Sequence, residues 1–184
     1  MKLILASNSP RRKQFLIEYG VPFEVVSSAF SEVTKETRPE KIVTDFAFGK
    51  ANEVYERLND QNIVVLGADT VVSLDGNILG KPKNKDDAIK MLKSLSNKTH
   101  QVFTGYSIIS KDYSKTEYCV TDVTFNQLSD QLITEYVETG LPMDKAGAYG
   151  IQDGYNLVKN ISGSYNNVVG LPIEIIEKRL KKLL

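Results

Sequence analysis

Arg11 and Arg12 fall in the first turn of a helix announced by Ser9-Pro10, and Lys13 follows them. Serine is a favoured helix cap and proline a favoured first helical residue. A helix N-terminus carries unsatisfied N–H groups and partial positive charge, so three cations there are locally unfavourable. A bound anion resolves that conflict, and phosphate suits such a site. Ser7 and Ser9 offer hydroxyl donors beside it. The plainer reading has these side chains solvated and turned away, and spacing alone does not choose between the two.

Asp69 follows the apolar run Ile63–Leu66 after Gly67-Ala68. A carboxylate at the C-terminal end of a central strand faces the ligand crevice in many α/β proteins, where it can hold a metal or act as a base toward water. A turn residue capping nearby N–H groups is the competing explanation. Lys81 stands between turn residues in Gly80-Lys81-Pro82, and Lys50 lies in a helical stretch beside Ala47 and Ala51. Each is a point charge suited to phosphate, or a solvated lysine. In the run Asp144–Gln152, small residues and glycines allow close approach to the backbone. Gln152 can donate to and accept from a base edge, though composition alone also describes an ordinary tight turn.

Other chemistries are excluded by count or pattern. His100 is the only histidine and Cys119 the only cysteine, so a zinc site built from these types has too few ligands. No Gly-x-Ser-x-Gly elbow, Walker sequence or Gly-x-Gly-x-x-Gly run occurs. The remaining option is a hard, oxygen-coordinated divalent cation, Mg²⁺ or Mn²⁺. Asp69 and Glu32, with substrate phosphates, are its candidate ligands.

The elements that must carry these residues follow from periodicity. Strands are expected at Leu3–Ala6, Phe23–Val26 and Ile63–Leu66. Helices are expected from Pro10 to a Gly20 cap, and from Pro39 to about Leu58 with Ile42, Val43, Phe46, Ala47, Ala51 and Val54 inward. Val71–Ser73 and Asn77–Leu79 flank Asp75-Gly76 as a hairpin. A helix over Asn84–Leu95 begins with Asp86-Asp87, which suits its dipole. Gln101–Ser110 and Glu117–Phe125 read as an antiparallel pair joined by the loop Lys111–Lys115. A helix capped by Ser129 ends near Gly140. A glycine-rich stretch then runs from Gly147 to Gly170, and Pro172 opens a last helix. The pattern predicts a mixed α/β fold, a mixed sheet with flanking helices, in one domain over residues 1–184 built as two lobes around a cleft.

Lys plus Arg and Asp plus Glu number 23 each, so the net charge is zero. That balance argues against a long polyanion as partner, but not against a small anion held by a few cations. The N-terminal apolar run is too short for a signal peptide, no stretch reaches membrane-spanning length, and one cysteine suits a reducing compartment. The expectation is a cytoplasmic protein with no nucleic-acid or membrane partner.

Several ordered motifs then align across the chain: Leu5-Ala6-Ser7-Asn8-Ser9-Pro10-Arg11-Arg12, Lys50-Ala51, Gly67-Ala68-Asp69-Thr70-Val71-Val72, Gly80-Lys81-Pro82, His100-Gln101-Val102-Phe103-Thr104-Gly105, Asp144–Gln152 and Val169-Gly170-Leu171-Pro172. Together they resemble the Maf family of nucleotide pyrophosphatases, the septum formation inhibitor proteins. The resemblance implies a fold similar to that of inosine triphosphate pyrophosphatases. It also implies metal-dependent hydrolysis of a nucleoside triphosphate to monophosphate and pyrophosphate, and frequent homodimers. It makes Asp69 the proton acceptor and Arg11, Arg12, Lys50 and Lys81 the phosphate-binding, charge-stabilising set. Glu32 becomes the acidic partner in metal binding, preceded by Ser31 where many members carry an aspartate. Arg12, Thr70 and Gln152 look like the set of the subgroup acting on dTTP and UTP. The 7-methyl-GTP subgroup instead has a glutamine after the aspartate and an acidic residue in place of Gln152. House-cleaning of non-standard nucleotides is compatible with this activity. The alternative expectation is a non-catalytic nucleotide-binding regulator of cell division.

Overall fold

The structure is a computed structural model describing all 184 residues. Its strands and helices are β1 (Lys2–Leu5), α1 (Pro10–Glu18), β2 (Phe23–Val25), α2 (Pro39–Leu58), β3 (Ile63–Leu74), β4 (Asn77–Leu79), α3 (Lys85–Leu95), β5 (Thr99–Ser110), β6 (Tyr113–Phe125), α4 (Asp130–Glu138), β7 (Val158–Ser162), α5 (Tyr165–Val169) and α6 (Ile173–Leu183). One seven-stranded sheet runs β2-β1-β3-β5-β6-β7, with β4 on β3. β1 pairs in parallel with both β2 and β3, whereas β3–β4 and β6–β7 are antiparallel. The expected mixed sheet with flanking helices is therefore present.

The chain forms two compact units. The first comprises Met1–Asp69, Thr104–Cys119 and Gly170–Leu184; the second comprises Thr70–Phe103 and Val120–Val169. In the first unit, α2 buries Ile42, Val43, Phe46, Ala47, Ala51 and Val54, the inward set that its period dictates. Ala51 and Val54 join Ile4, Ala6, Ile63, Val65 and Ile109 in one apolar cluster. In the second unit, Ala88, Leu92 and Leu95 of α3 and Ile133, Tyr136 and Val137 of α4 pack with Val72, Val102, Val123 and Phe125. Asn84 caps α3 by accepting from Asp87 N at 2.9 Å, and Ser129 caps α4 by accepting from Leu132 N at 3.1 Å.

Three local expectations need correction. Gly67–Thr70 is not a turn: β3 runs unbroken through it for 12 residues, so Asp69 sits within a strand and not at a strand end. Only Thr70 along β3 is less than fully buried, and a strand covered on both faces loses the alternation that would have marked it. Ser9 occupies the cap position of α1 but its side chain makes no capping bond. The loop over Lys111–Lys115 shrinks to the turn Lys111-Asp112, because β6 begins at Tyr113. The glycine-rich stretch, for which the sequence suggested no element, holds a strand, β7, and a short helix, α5.

Candidate active site

The first unit assembles its polar centre by bringing α2 hard against the sheet. A Cβ on Gly67 of β3 would lie 2.4 Å from Ala47 O and 2.8 Å from Ala51 N. On Gly105 of β5 it would lie 2.2 Å from Val43 O. Only glycine fits beneath a helix backbone this close. The approach delivers Lys50, on α2, to Asp69, on β3: Nζ donates to Asp69 Oδ1 at 2.7 Å. Asp69 is 8% exposed.

Lys50 also pairs with Glu32 Oε1 at 2.8 Å. Glu32 belongs to residues 26–38, which have no regular structure and are tied down by side chains. Ser28 Oγ and Ala29 N both donate to Glu53 Oε2, at 2.8 and 2.9 Å. Phe30 lies over Gly49, where a Cβ would come within 2.3 Å of its ring, and meets Phe46 edge-on at 6.0 Å. Glu53, Gly49 and Lys50 are all on α2, so one helix fixes both the segment and the cation it reaches.

Ser7 acts as a hub ahead of α1. Its Oγ accepts from Ser9 N and from Arg12 Nη1, both at 3.2 Å. Arg12 Nε donates to Gly170 O at 2.9 Å. The guanidinium is thus held from two sides, and both Asp69 and Glu32 act on it electrostatically. Burial lowers the Arg12 pKa; Asp69 opposes that shift, and neighbouring Arg11 adds to it. Ser9 and Arg11 are partly exposed at the same helix start.

Burial is also the largest influence on Asp69 and pushes its carboxyl above the usual range. Lys50, then Arg12, pull it back, while the like charge of Glu32 raises it further. A carboxylate whose charged form is disfavoured has increased affinity for a proton, the property a general base uses. Asp69 and Glu32 supply hard oxygen donors that converge on Lys50, a donor chemistry suited to Mg²⁺ or Mn²⁺. The structure gathers no group of three His, Cys, Asp or Glu side chains that could hold a metal. A cation on these two carboxylates would complete its shell with phosphate oxygens and water.

The remaining candidates are in the second unit. Thr70 follows Asp69 along β3, and its side chain leaves the strand on the opposite face. Lys81 and Gln152 are exposed. Their segments are joined: Gly147 N donates to Gly80 O at 3.0 Å. Gly147 and Ala148 both have positive φ, 68° and 58°, a conformation costly for alanine. His100, named as the only histidine, is 1% exposed and belongs to the core. Its Nε2 is 2.8 Å from Tyr149 Oη, its Nδ1 has no partner, and burial pulls its pKa down to about 4.

Sequence reasoning did not single out Phe30 or Gly49, and held Gly170 only within the Val169–Pro172 motif. Gly49 carried a signal, since a glycine inside a helical pattern usually has a packing reason. The role of Gly170 is through its carbonyl oxygen, which any residue type possesses.

The fold defines a mixed α/β protein with a polar centre of one aspartate, one glutamate, one lysine and one arginine. Over 99% of this chain and 99% of that one, it superposes on the Staphylococcus aureus Ham1 protein with a TM-score of 0.56 at 15% identity. Residues 2–183 match the Maf-like protein family, and the chain belongs to that family. It is 48% identical over 183 residues to a Bacillus cereus protein named dTTP/UTP pyrophosphatase, covering 98% of this chain and 95% of the relative. It is 50% identical over 182 residues to a Thermococcus kodakarensis protein of the same name, covering 98% and 96%.

Proposed function

We propose that this protein hydrolyses dTTP and UTP to the monophosphate and pyrophosphate. The observation that carries the proposal is the Glu32–Lys50–Asp69 arrangement, with a buried carboxylate of raised proton affinity held 2.7 Å from a lysine. The near full-length likeness to relatives named dTTP/UTP pyrophosphatase supports the substrate class. In this reading Asp69 accepts a proton from water that attacks the α-phosphorus. Lys50 opposes the effect of burial on the Asp69 carboxyl and offers charge to the phosphates, and Arg12, pre-set by Ser7 and Gly170, binds a phosphate oxygen. Ser9, Arg11 and Lys81 are proposed triphosphate contacts, and Thr70 and Gln152 substrate contacts, from their motif positions. Asp69 and Glu32 would hold a Mg²⁺ or Mn²⁺ ion. Such an ion supplies Lewis-acid stabilisation of phosphate charge. Electrostatics and positioning carry most of this catalysis.

The whole of residues 1–184 is proposed to act as one enzymatic domain. The proposed compartment is the cytoplasm, where one cysteine, Cys119, outside any disulfide suits reducing conditions. A homodimer is proposed from the family resemblance. The test is chromatographic product analysis with dTTP, UTP, CTP, GTP, 7-methyl-GTP and ITP, with either metal and with chelator. Metal-dependent monophosphate and pyrophosphate from dTTP and UTP supports the reading. The same products from another nucleotide would overturn the subgroup and keep the reaction. Binding without turnover would overturn the reaction itself.

A further inference from the structure

The turn Gly150–Asp153, which carries Gln152, is held at both ends by a single oxygen atom. Tyr136 Oη, on α4, donates to Asp153 Oδ2 at 2.5 Å and accepts from Gly150 N at 2.9 Å. Gln152 lies between these two anchored residues. Tyr136 is fully buried, so its hydroxyl is a fixed point rather than a mobile contact. Its ring is part of the apolar core of the second unit and is 4.6 Å from the ring of Tyr155.

A buried cation braces the same turn. Lys145 is 8% exposed; its Nζ donates to Leu141 O at 2.5 Å and to Asp144 Oδ1 at 3.0 Å, and lies 3.4 Å from Asp153 Oδ2. The Asp153 side chain is only 7% exposed. A buried carboxylate is tolerated when paired and hydrogen-bonded, and here both partners lie beneath the turn. There is no room for slack: a Cβ on Gly150 would come within 2.7 Å of both Asp153 carboxylate oxygens and of Lys145 Cε. Asp153 N also closes the turn onto Gly150 O at 3.1 Å. Exposed Gln152 therefore stands on a rigid base, with its amide free to meet a ligand.

We propose that Tyr136 and Asp153 are positioning residues for nucleotide selectivity, acting through Gln152. The proposal rests on the reading of Gln152 as the residue that meets the base. Uracil and thymine present an N3–H donor beside a carbonyl acceptor, and cytosine presents the reverse. An amide tells them apart only if its donor and acceptor keep a fixed orientation. The anchored turn fixes where the amide meets the base edge; a turn that shifts lets it meet either base out of register, so loosening it costs discrimination rather than chemistry.

The test compares kcat/KM for UTP and CTP in Tyr136→Phe, Asp153→Ala, Gln152→Ala and the Tyr136→Phe/Gln152→Ala double variant. Tyr136→Phe is expected to lower the UTP-over-CTP ratio about tenfold, mainly through KM for UTP. Asp153→Ala, which leaves the hydroxyl in place, should act in the same direction. The double variant should be no less selective than Gln152→Ala alone. Unchanged selectivity in folded Tyr136→Phe, with selectivity lost in Gln152→Ala, would overturn the clamp and leave the role of Gln152 intact. Full selectivity in Gln152→Ala would instead remove Gln152 from base recognition, and the clamp with it. If Tyr136→Phe fails to fold, Asp153→Ala decides by the same criteria.

Discussion

A methyl group on Gly67 would lie 2.4 Å from the carbonyl oxygen of Ala47. The bare backbone at this position sets how near α2 comes to β3, and that separation sets the Lys50–Asp69 contact. Gly67→Ala is expected to destabilise the fold by about 1–3 kcal/mol, the usual range for overpacking. It should also lower turnover in whatever fraction remains folded. Urea denaturation and steady-state kinetics on the same preparation check both effects.

Asp69→Asn is expected to lower kcat about 10²–10⁴-fold, the scale of a lost general base. The amide retains an oxygen that can accept from Lys50, so circular dichroism should be unchanged. Near-normal turnover would remove Asp69 from the role of base.

The same substitution should raise the melting temperature at neutral pH in the presence of chelator. Burial holds the folded pKa of Asp69 above its unfolded value. The stability linked to this group is therefore present in full below the unfolded pKa of about 3.9 and lost as pH rises through the folded pKa. The advantage of Asn over Asp should shrink toward zero as the pH is taken below about 4. Scanning calorimetry across that range reads the difference.

Lys50→Gln should move the acid limb of the kcat/KM profile to higher pH. Lys50 is the leading influence that lowers the Asp69 pKa, so its removal leaves burial and Glu32 less opposed. A downward shift of the limb would contradict the assigned pairing.

His100 should make the protein sensitive to mild acid. Its folded pKa is pulled to about 4 against a usual 6.5. The stability it contributes is present above about 6.5 and lost as pH falls toward 4, about 3 kcal/mol in all. His100→Gln should flatten stability between those two values in a pH series of urea melts.

Helix α2 was legible to the residue, because its apolar set repeats cleanly and Pro39 marks its start. β3 was legible in two pieces, Ile63–Leu66 and Val71–Ser73. The Gly67–Thr70 stretch between them reads as a turn in sequence, and runs on as strand with α2 packed over Gly67. β7 and α5 are short and partly exposed, so apolar periodicity had little to report. In the candidate site, charge type and motif order pointed to Asp69, Lys50, Glu32 and Arg12, four side chains that the fold brings together. The supports were less visible. Gly170 contributes a carbonyl oxygen, and Tyr136 contributes a hydroxyl from the core face of α4. Neither announces itself by residue type at its position.

The bond from Gly147 N to Gly80 O joins the loop bearing Gln152 to the turn bearing Lys81. A mutation that reshapes the first segment to admit a new base also tugs on the lysine of the second. Under the proposed roles, a lineage of such proteins cannot drift in base preference while holding triphosphate affinity constant by changing one segment alone. Paired substitutions are needed. Nucleotide preference in this architecture should therefore change in rare, correlated steps, and the two segments should carry its record together.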